Sequence, residues 1–158
     1  GNIQTRIDKM TTENLDGLIV AKAALNRLKI SHPNIYIFSQ EEMLPAAAQG
    51  AIGIEVIEEN LEAETINLLQ SINDNLTFKA TEIERTVVAA LQGNCLSPIS
   101  ALCKISDQDV ELKVRVSNQK GSEVYDQKEI FKLDNKIEAL EGFIEKLISN
   151  GAKTLIQK

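Results

Sequence analysis

The chain has 158 residues, 43% hydrophobic and 4% aromatic, with no Trp, two Cys and a formal charge of −6, a length that holds one ordinary domain or two small ones. The acidic balance excludes general nucleic-acid binding, which relies on basic surfaces, and no apolar run approaches the roughly 18 residues of a membrane span. Two cysteines and no basic-then-apolar leader point to a reducing, cytoplasmic setting without a disulfide framework.

Residues 1–30 carry Arg6, Lys9, Lys22, Arg27 and Lys29 against Asp8, Glu13 and Asp16, a net of +2 that leaves −8 for the other 128. Such a segment suits small anionic ligands, carboxylates or phosphates, and equally a solvated helix face. Asn2 and Thr5 stand as candidate caps for a helix-like stretch at Ile7–Met10, and helix N-terminal N–H groups bind anions. Arg6 beside that end either clamps a carboxylate or is simply solvated. Leu15–Val20 reads as a short buried strand, followed by a helix over Ala21–Leu28. That alternation belongs to parallel α/β sheets, where ligands sit beyond the carboxyl ends of the strands, here at Val20-Ala21-Lys22. His32, the one histidine, precedes a proline and has no Cys or carboxylate at ligand spacing, so it reads as a surface residue. Ile35–Phe38 reads as another short strand.

Pro45 and Gly50 frame a run of small residues, and Ala51–Ile57 reads as a strand interleaved with glycine, which permits close approach or marks a bulge. Neither the dinucleotide nor the phosphate-loop fingerprint occurs. Asn60 is expected to cap a helix over 61–72 with Leu61, Leu68, Leu69 and Ile72 on one face. Asn73-Asp-Asn75 marks a domain boundary.

The next predicted helix, about Thr77–Gln92, turns Ile83, Val87 and Leu91 inward and Glu82, Arg85 and Gln92 outward. Gly93-Asn94 is expected to stop it and Pro98 to delay the next element, so that Cys95 lies on a short loop between helix end and strand. A cysteine there is a candidate for chemistry. Cys103, inside the following strand, reads as a small core hydrophobe, and the two thiols do not make a metal site. Strands are expected at Pro98–Ile105, Val110–Val116 and Val124–Phe131, with turns at Asp107–Asp109 and Asn118–Ser122. Val110, Leu112, Val114 and Val116 alternate with polar residues, which gives one buried and one wet face. A last helix, Asp134–Ser149 with Asp134 as cap, places Ile137, Leu140, Ile144, Leu147 and Ile148 on one stripe. Residues 73–158 thus read as an α+β domain, with helices on one face of a three-stranded antiparallel sheet.

Gly1-Asn-Ile-Gln-Thr-Arg6, Leu15-Asp-Gly-Leu-Ile-Val-Ala21, Leu25-Asn-Arg-Leu28, the Leu44–Glu55 run containing Gln49-Gly50-Ala51, Glu84-Arg85 and Leu91-Gln-Gly-Asn-Cys-Leu-Ser-Pro-Ile99 follow one another in a familiar order. The chain resembles the porphobilinogen deaminase family over its whole length, and is similar to the C-terminal half of the family protein, starting inside the second of three domains. The resemblance implies that residues 1–48 are the C-terminal part of an α/β domain of periplasmic-binding-protein type. It implies that 49–72 are a strand and helix returning to the first domain, and 73–158 a complete cofactor-carrying α+β domain.

For function it implies a dipyrromethane cofactor held by a thioether at Cys95. That cofactor primes the addition of four porphobilinogen units, each losing ammonia, in haem biosynthesis. Thr5 and Arg6 match a carboxylate-binding pair, Arg27 a further arginine, Gln49 and Gly50 residues lining the site, and Ala21 a position whose backbone faces the cofactor. The family's acid/base aspartate belongs to the first domain, so no catalytic residue and no metal ligand is expected here, and Asp8 and Asp16 do not replace it. Expected partners are porphobilinogen and the family's first domain, with neither nucleic acid nor membrane. The full-length protein is expected to be a monomer, and this chain alone to be inactive and to self-associate through residues 50–57. The alternative is a non-catalytic binding module that keeps the fold without the cofactor. Asn94, Ser100 and Ala24 stand where the family has glycine, and Lys22 where it has a small or apolar residue.

Overall fold

The computed structural model describes residues 2–57, 59 and 61–157, so the expected cap at Asn60 lies outside the described residues. Two compact units, 1–39 and 40–158, divide the chain.

In the first unit the Asn2 side chain accepts the Gln4 N–H at 2.9 Å and starts α1 (Ile3–Thr12). Thr5 lies inside that helix and does not cap it, because the chain is already helical two residues earlier. A second helix, α2 (Lys22–Leu28), begins after Ala21 and ends at Lys29, whose φ of 52° is left-handed. Its buried residue is Leu25. Neither Leu15–Val20 nor Ile35–Phe38 forms a strand, and Leu15, Ile19, Tyr36 and Ile37 are 50%, 63%, 67% and 55% exposed. Apolar composition does not make a strand without a neighbour to accept its ladder, and none pairs with these segments among the described residues. His32 is exposed, as expected, and its Nδ1 accepts the Asn34 N–H at 3.1 Å.

The second unit is built on the expected meander. Strands β1 (Ile99–Ser106), β2 (Asp109–Ser117) and β3 (Val124–Lys132) pair antiparallel in the order β1-β2-β3. Ile99 faces Val116, Ala101 faces Val114 and Cys103 faces Leu112, so one register puts every inward side chain of β1 and β2 on the same face. Val110, Leu112, Val114 and Val116 are all buried, as the alternation requires. At the second turn the Asn118 Oδ1 accepts the Ser122 and Glu123 N–H groups at 3.0 and 3.3 Å, a side-chain mimic of a backbone turn.

Helices cover the inner face. Asp74 caps α4 (Asn75–Ala90), preceded in the chain by α3 (Ala63–Ser71), by accepting the Thr77 N–H at 2.7 Å. That bond holds the Asp74 carboxyl below the usual carboxylate range. Ile83, Val87 and Leu91 enter the core as expected. The last long helix, α5 (Lys136–Ser149), follows a 3-10 turn at Leu133–Asn135, so Asp134 lies in the turn and does not cap the helix. Its buried seam is Phe143 and Leu147, with Leu140 and Ile144 alongside, whereas Ile137 is 70% exposed. Packing turned the helix towards its one aromatic residue. Each fully buried side chain of this size contributes about 1.5–3 kcal/mol. An unanticipated short helix, α6 (Ala152–Gln157), follows Gly151 and adds Ala152 to the core.

One further expectation fails. Ala51–Ile57 is no strand, and Ile52 is 94% exposed. The helix expected over 61–72 forms as α3, with Leu68 in it and Ile72 at its C-cap 62% and 61% exposed. Both segments are apolar and uncovered among the described residues.

On the outer face of the sheet, Arg115 grips Asp126 with two bonds of 2.7 and 2.9 Å and donates to the carbonyls of Glu41 and Glu42. Lys113 reaches Glu41 at 3.0 Å, and together these bonds strap residues 41–42 to β2.

Candidate functional site

The end of α4 places Cys95. Gln92 takes the left-handed conformation at φ 59°, its N–H bonds Ala89 O and the Gly93 N–H bonds Val88 O, both at 2.9 Å. This is the double backbone bond that closes many helices. The helix stop therefore falls on Gln92, one residue before the expected Gly93-Asn94. Gly93 is needed for another reason: a β-carbon there would overlap Ile99 Cδ1 and lie 3.1 Å from Val88 Cγ1.

Asn94 and Ser97 then fold around Cys95. Asn94 Oδ1 accepts the Leu96 N–H at 2.8 Å, Ser97 Oγ accepts the Asn94 N–H at 2.9 Å, and the Ser97 N–H bonds Asn94 O at 3.0 Å. Asn94 keeps a negative φ and builds the turn with its side chain. The loop exit is fixed by the Ser117 N–H on Pro98 O at 3.0 Å. Cys95 projects from the corner of this turn as an exposed free thiol beside Leu96, which is 83% exposed.

Cys103 contrasts with it. It is buried opposite Leu112, and burial, then the charge of Glu84, push its thiol up to about 12. At neutral pH it holds its proton and behaves as core, as expected of a cysteine inside that strand.

Gln49 and Gly50 lie on a turn that is tied to β1 and to α4. Gly50 has φ 88°, and the Gln49 N–H bonds Ala46 O at 3.1 Å while Gln49 Oε1 accepts the Ala46 N–H at 3.3 Å. Pro45 O accepts the Ala101 N–H at 3.1 Å, and the Glu84 carboxylate accepts the Ala48 N–H at 2.6 Å and the Cys103 N–H at 2.7 Å. Pro45 and Glu84 thereby satisfy two N–H groups on the open edge of β1. No role for Glu84 follows from the sequence motif, yet a signal exists. It stands on the same helical face as Ala80, Val87 and Leu91, where a charged residue needs buried partners.

Thr5, Arg6, Ala21 and Arg27 lie in the first unit, and Gln49, Gly50 and Cys95 in the second. Within the first unit Arg6 Nη2 donates to Ile19 O at 3.2 Å, which brings the guanidinium to the segment entering Ala21 and α2. Thr5 is exposed on α1 and Arg27 on the last turn of α2, and neither Arg6 nor Arg27 forms an ion pair among the described residues. The described residues contain no group of three or more metal-ligating side chains and no helix long and apolar enough to cross a membrane.

The chain is similar to known proteins along its whole length. Residues 1–65 match the family model described as porphobilinogen deaminase, dipyromethane cofactor binding domain, and residues 78–142 match porphobilinogen deaminase, C-terminal domain. Proteins named porphobilinogen deaminase from Campylobacter jejuni subsp. doylei and Campylobacter lari are 32% and 31% identical over 160 residues, and one from Campylobacter hominis is 37% identical over 161. Each alignment covers 100% of this chain and 51% of the relative, so the chain spans about half the length of the curated relatives it matches.

Proposed function

Because the chain belongs to the porphobilinogen deaminase family of tetrapyrrole biosynthesis, we propose that it is the cofactor-carrying part of a hydroxymethylbilane synthase, with dipyrromethane tethered at Cys95. The observation that carries this reading is the contrast between the two thiols. Cys95 stands exposed on a turn braced by Asn94 and Ser97, while Cys103 is buried with its thiol pushed up to about 12.

The types of these residues suit the chemistry of the group. Each pyrrole bears acetate and propionate, and Arg6 and Arg27 offer guanidinium forks with no ion-pair partner among the described residues. Thr5, the backbone at Ala21, and the Gln49-Gly50 turn supply further polar contacts. Cys95 provides the sulfur of the tether, a thiolate being well suited to an electrophilic methylene-pyrrole. When bound, the dipyrromethane supplies the pyrrole end onto which four porphobilinogen units are added with loss of ammonia.

The proton-handling aspartate belongs to the family's first domain, so the 158 residues alone do not turn over porphobilinogen. Residues 1–48 complete an α/β domain with strands from elsewhere in the protein, 49–72 return to the first domain, and 73–158 are the cofactor-carrying domain. The uncovered apolar side chains at 52–57 and on α3 support this division.

Turnover assays test it. The chain alone is expected to give no hydroxymethylbilane, and the chain co-expressed with the N-terminal half of a family member is expected to give it. The Cys95→Ser variant of that pair should be inactive. Turnover by the chain alone, or by the Cys95→Ser pair, contradicts the proposal.

A further inference from the structure

Glu84 is a buried carboxylate, 5% exposed, that the proposed chemistry does not use. Its two oxygens are spent on two backbone donors from distant parts of the unit: Oε2 on the Ala48 N–H at 2.6 Å, Oε1 on the Cys103 N–H at 2.7 Å. No salt bridge reaches it among the described residues. A charge left without such donors would be costly at this depth, so the bonds act as a latch that resists opening.

The latched residue is itself unusual. Ala48 sits at φ 59°, a left-handed conformation that alanine rarely adopts, and the next two residues are Gln49 and Gly50. The same helix that carries Glu84 runs on for six residues to Ala90 and then into the Cys95 turn. Together with the bond from the Ala101 N–H to Pro45 O, this side chain ties the 45–51 turn to the element that presents the thiol.

We infer that Glu84 is a positioning residue for ligand binding: its carboxylate holds Ala48 and so sets where Gln49 and Gly50 stand relative to Cys95. The inference rests on the reading of Gln49 and Gly50 as residues that line the tetrapyrrole site. It assigns Glu84 to binding of porphobilinogen, not to the proton chemistry, because nothing links its carboxylate to a reacting atom.

Two measurements test it. In the unmodified 158-residue chain, the Ala48 amide is expected to exchange with solvent at least about tenfold more slowly than that of Gly50. Glu84→Gln keeps the size but presents an NH2 to one of the two donors. It should speed exchange at Ala48 and Cys103 by about tenfold or more while Leu112 and Val114 hold. In the enzyme assembled from this chain and the N-terminal half of a family member, Glu84→Gln should raise KM for porphobilinogen severalfold with kcat within about twofold. A merely structural role would lower the amount of active enzyme, so reduced kcat at unchanged KM overturns the inference, as does a freely exchanging Ala48 amide in the unmodified chain. If the unmodified assembly does not turn over, the functional reading itself falls, and the exchange data still decide whether Glu84 is a latch.

Discussion

Gly93 lies so close against Ile99 that a β-carbon on it would overlap the Ile99 Cδ1 atom. This contact, next to a helix end closed by Gln92, joins α4 to β1 immediately before the Cys95 turn. Gly93→Ala must turn the Ile99 Cδ1 methyl aside or shift the turn, and overpacking of this kind costs about 1–3 kcal/mol. Denaturant unfolding of the variant checks the loss. Unchanged stability would mean that the corner yields freely.

The two thiols should separate cleanly under alkylation. With iodoacetamide under native conditions, one label is expected, at Cys95, and a second at Cys103 only on unfolding. Burial keeps Cys103 protonated and out of reach of the reagent. Equal labelling of both in the folded chain would contradict the assignment of Cys103 to the core.

The outer face of the sheet makes stability pH-dependent. Lys128 at 2.6 Å and Lys113 at 3.3 Å hold the Glu111 carboxyl below its ordinary range, and Lys113 does the same for Glu41. A carboxyl depressed in the folded state stabilises it above the ordinary carboxylate value, and that contribution disappears as pH falls through the folded value. Glu111→Gln should therefore lower Tm near neutrality and flatten its fall between about pH 5 and 3. Salt at about 1 M should shrink the difference, since these groups are near solvent. An identical pH profile for the variant would show that the pairs contribute nothing.

Residues 52–57 leave Ile52, Ile54, Val56 and Ile57 at 94%, 60%, 45% and 70% exposure. A patch of this kind seeks cover. The chain alone is expected to self-associate with rising concentration, and a double variant Ile52→Lys, Ile54→Lys to do so less. Light scattering of both decides it; a clean monomer for the parent chain at high concentration contradicts the expectation.

The legible and illegible parts of the sequence divide along one physical line. The meander was readable because its partners are neighbours in the chain: Val110 to Val116 alternate, and the strands they pair with lie one turn away on either side. The exposed position of Cys95 was readable from the helix stop and Pro98. Leu15–Val20, Ile35–Phe38 and Ala51–Ile57 have strand-like composition, but no described segment pairs with them, and composition alone cannot form a ladder. Glu84 escaped because its meaning lies in Ala48 and Cys103, 36 and 19 residues away. Gln92 and Gly93 exchanged their expected roles, since close packing against Ile99 demanded the residue without a β-carbon more than the left-handed turn did.

The most direct test of the central claim is peptide mass spectrometry on this chain co-expressed with the N-terminal half of a family member. A dipyrromethane adduct is expected on the peptide containing Cys95, with Cys103 unmodified, and Cys95→Ser should abolish both the adduct and the colour with Ehrlich's reagent. An active assembly whose Cys95 peptide carries no adduct would contradict the claim.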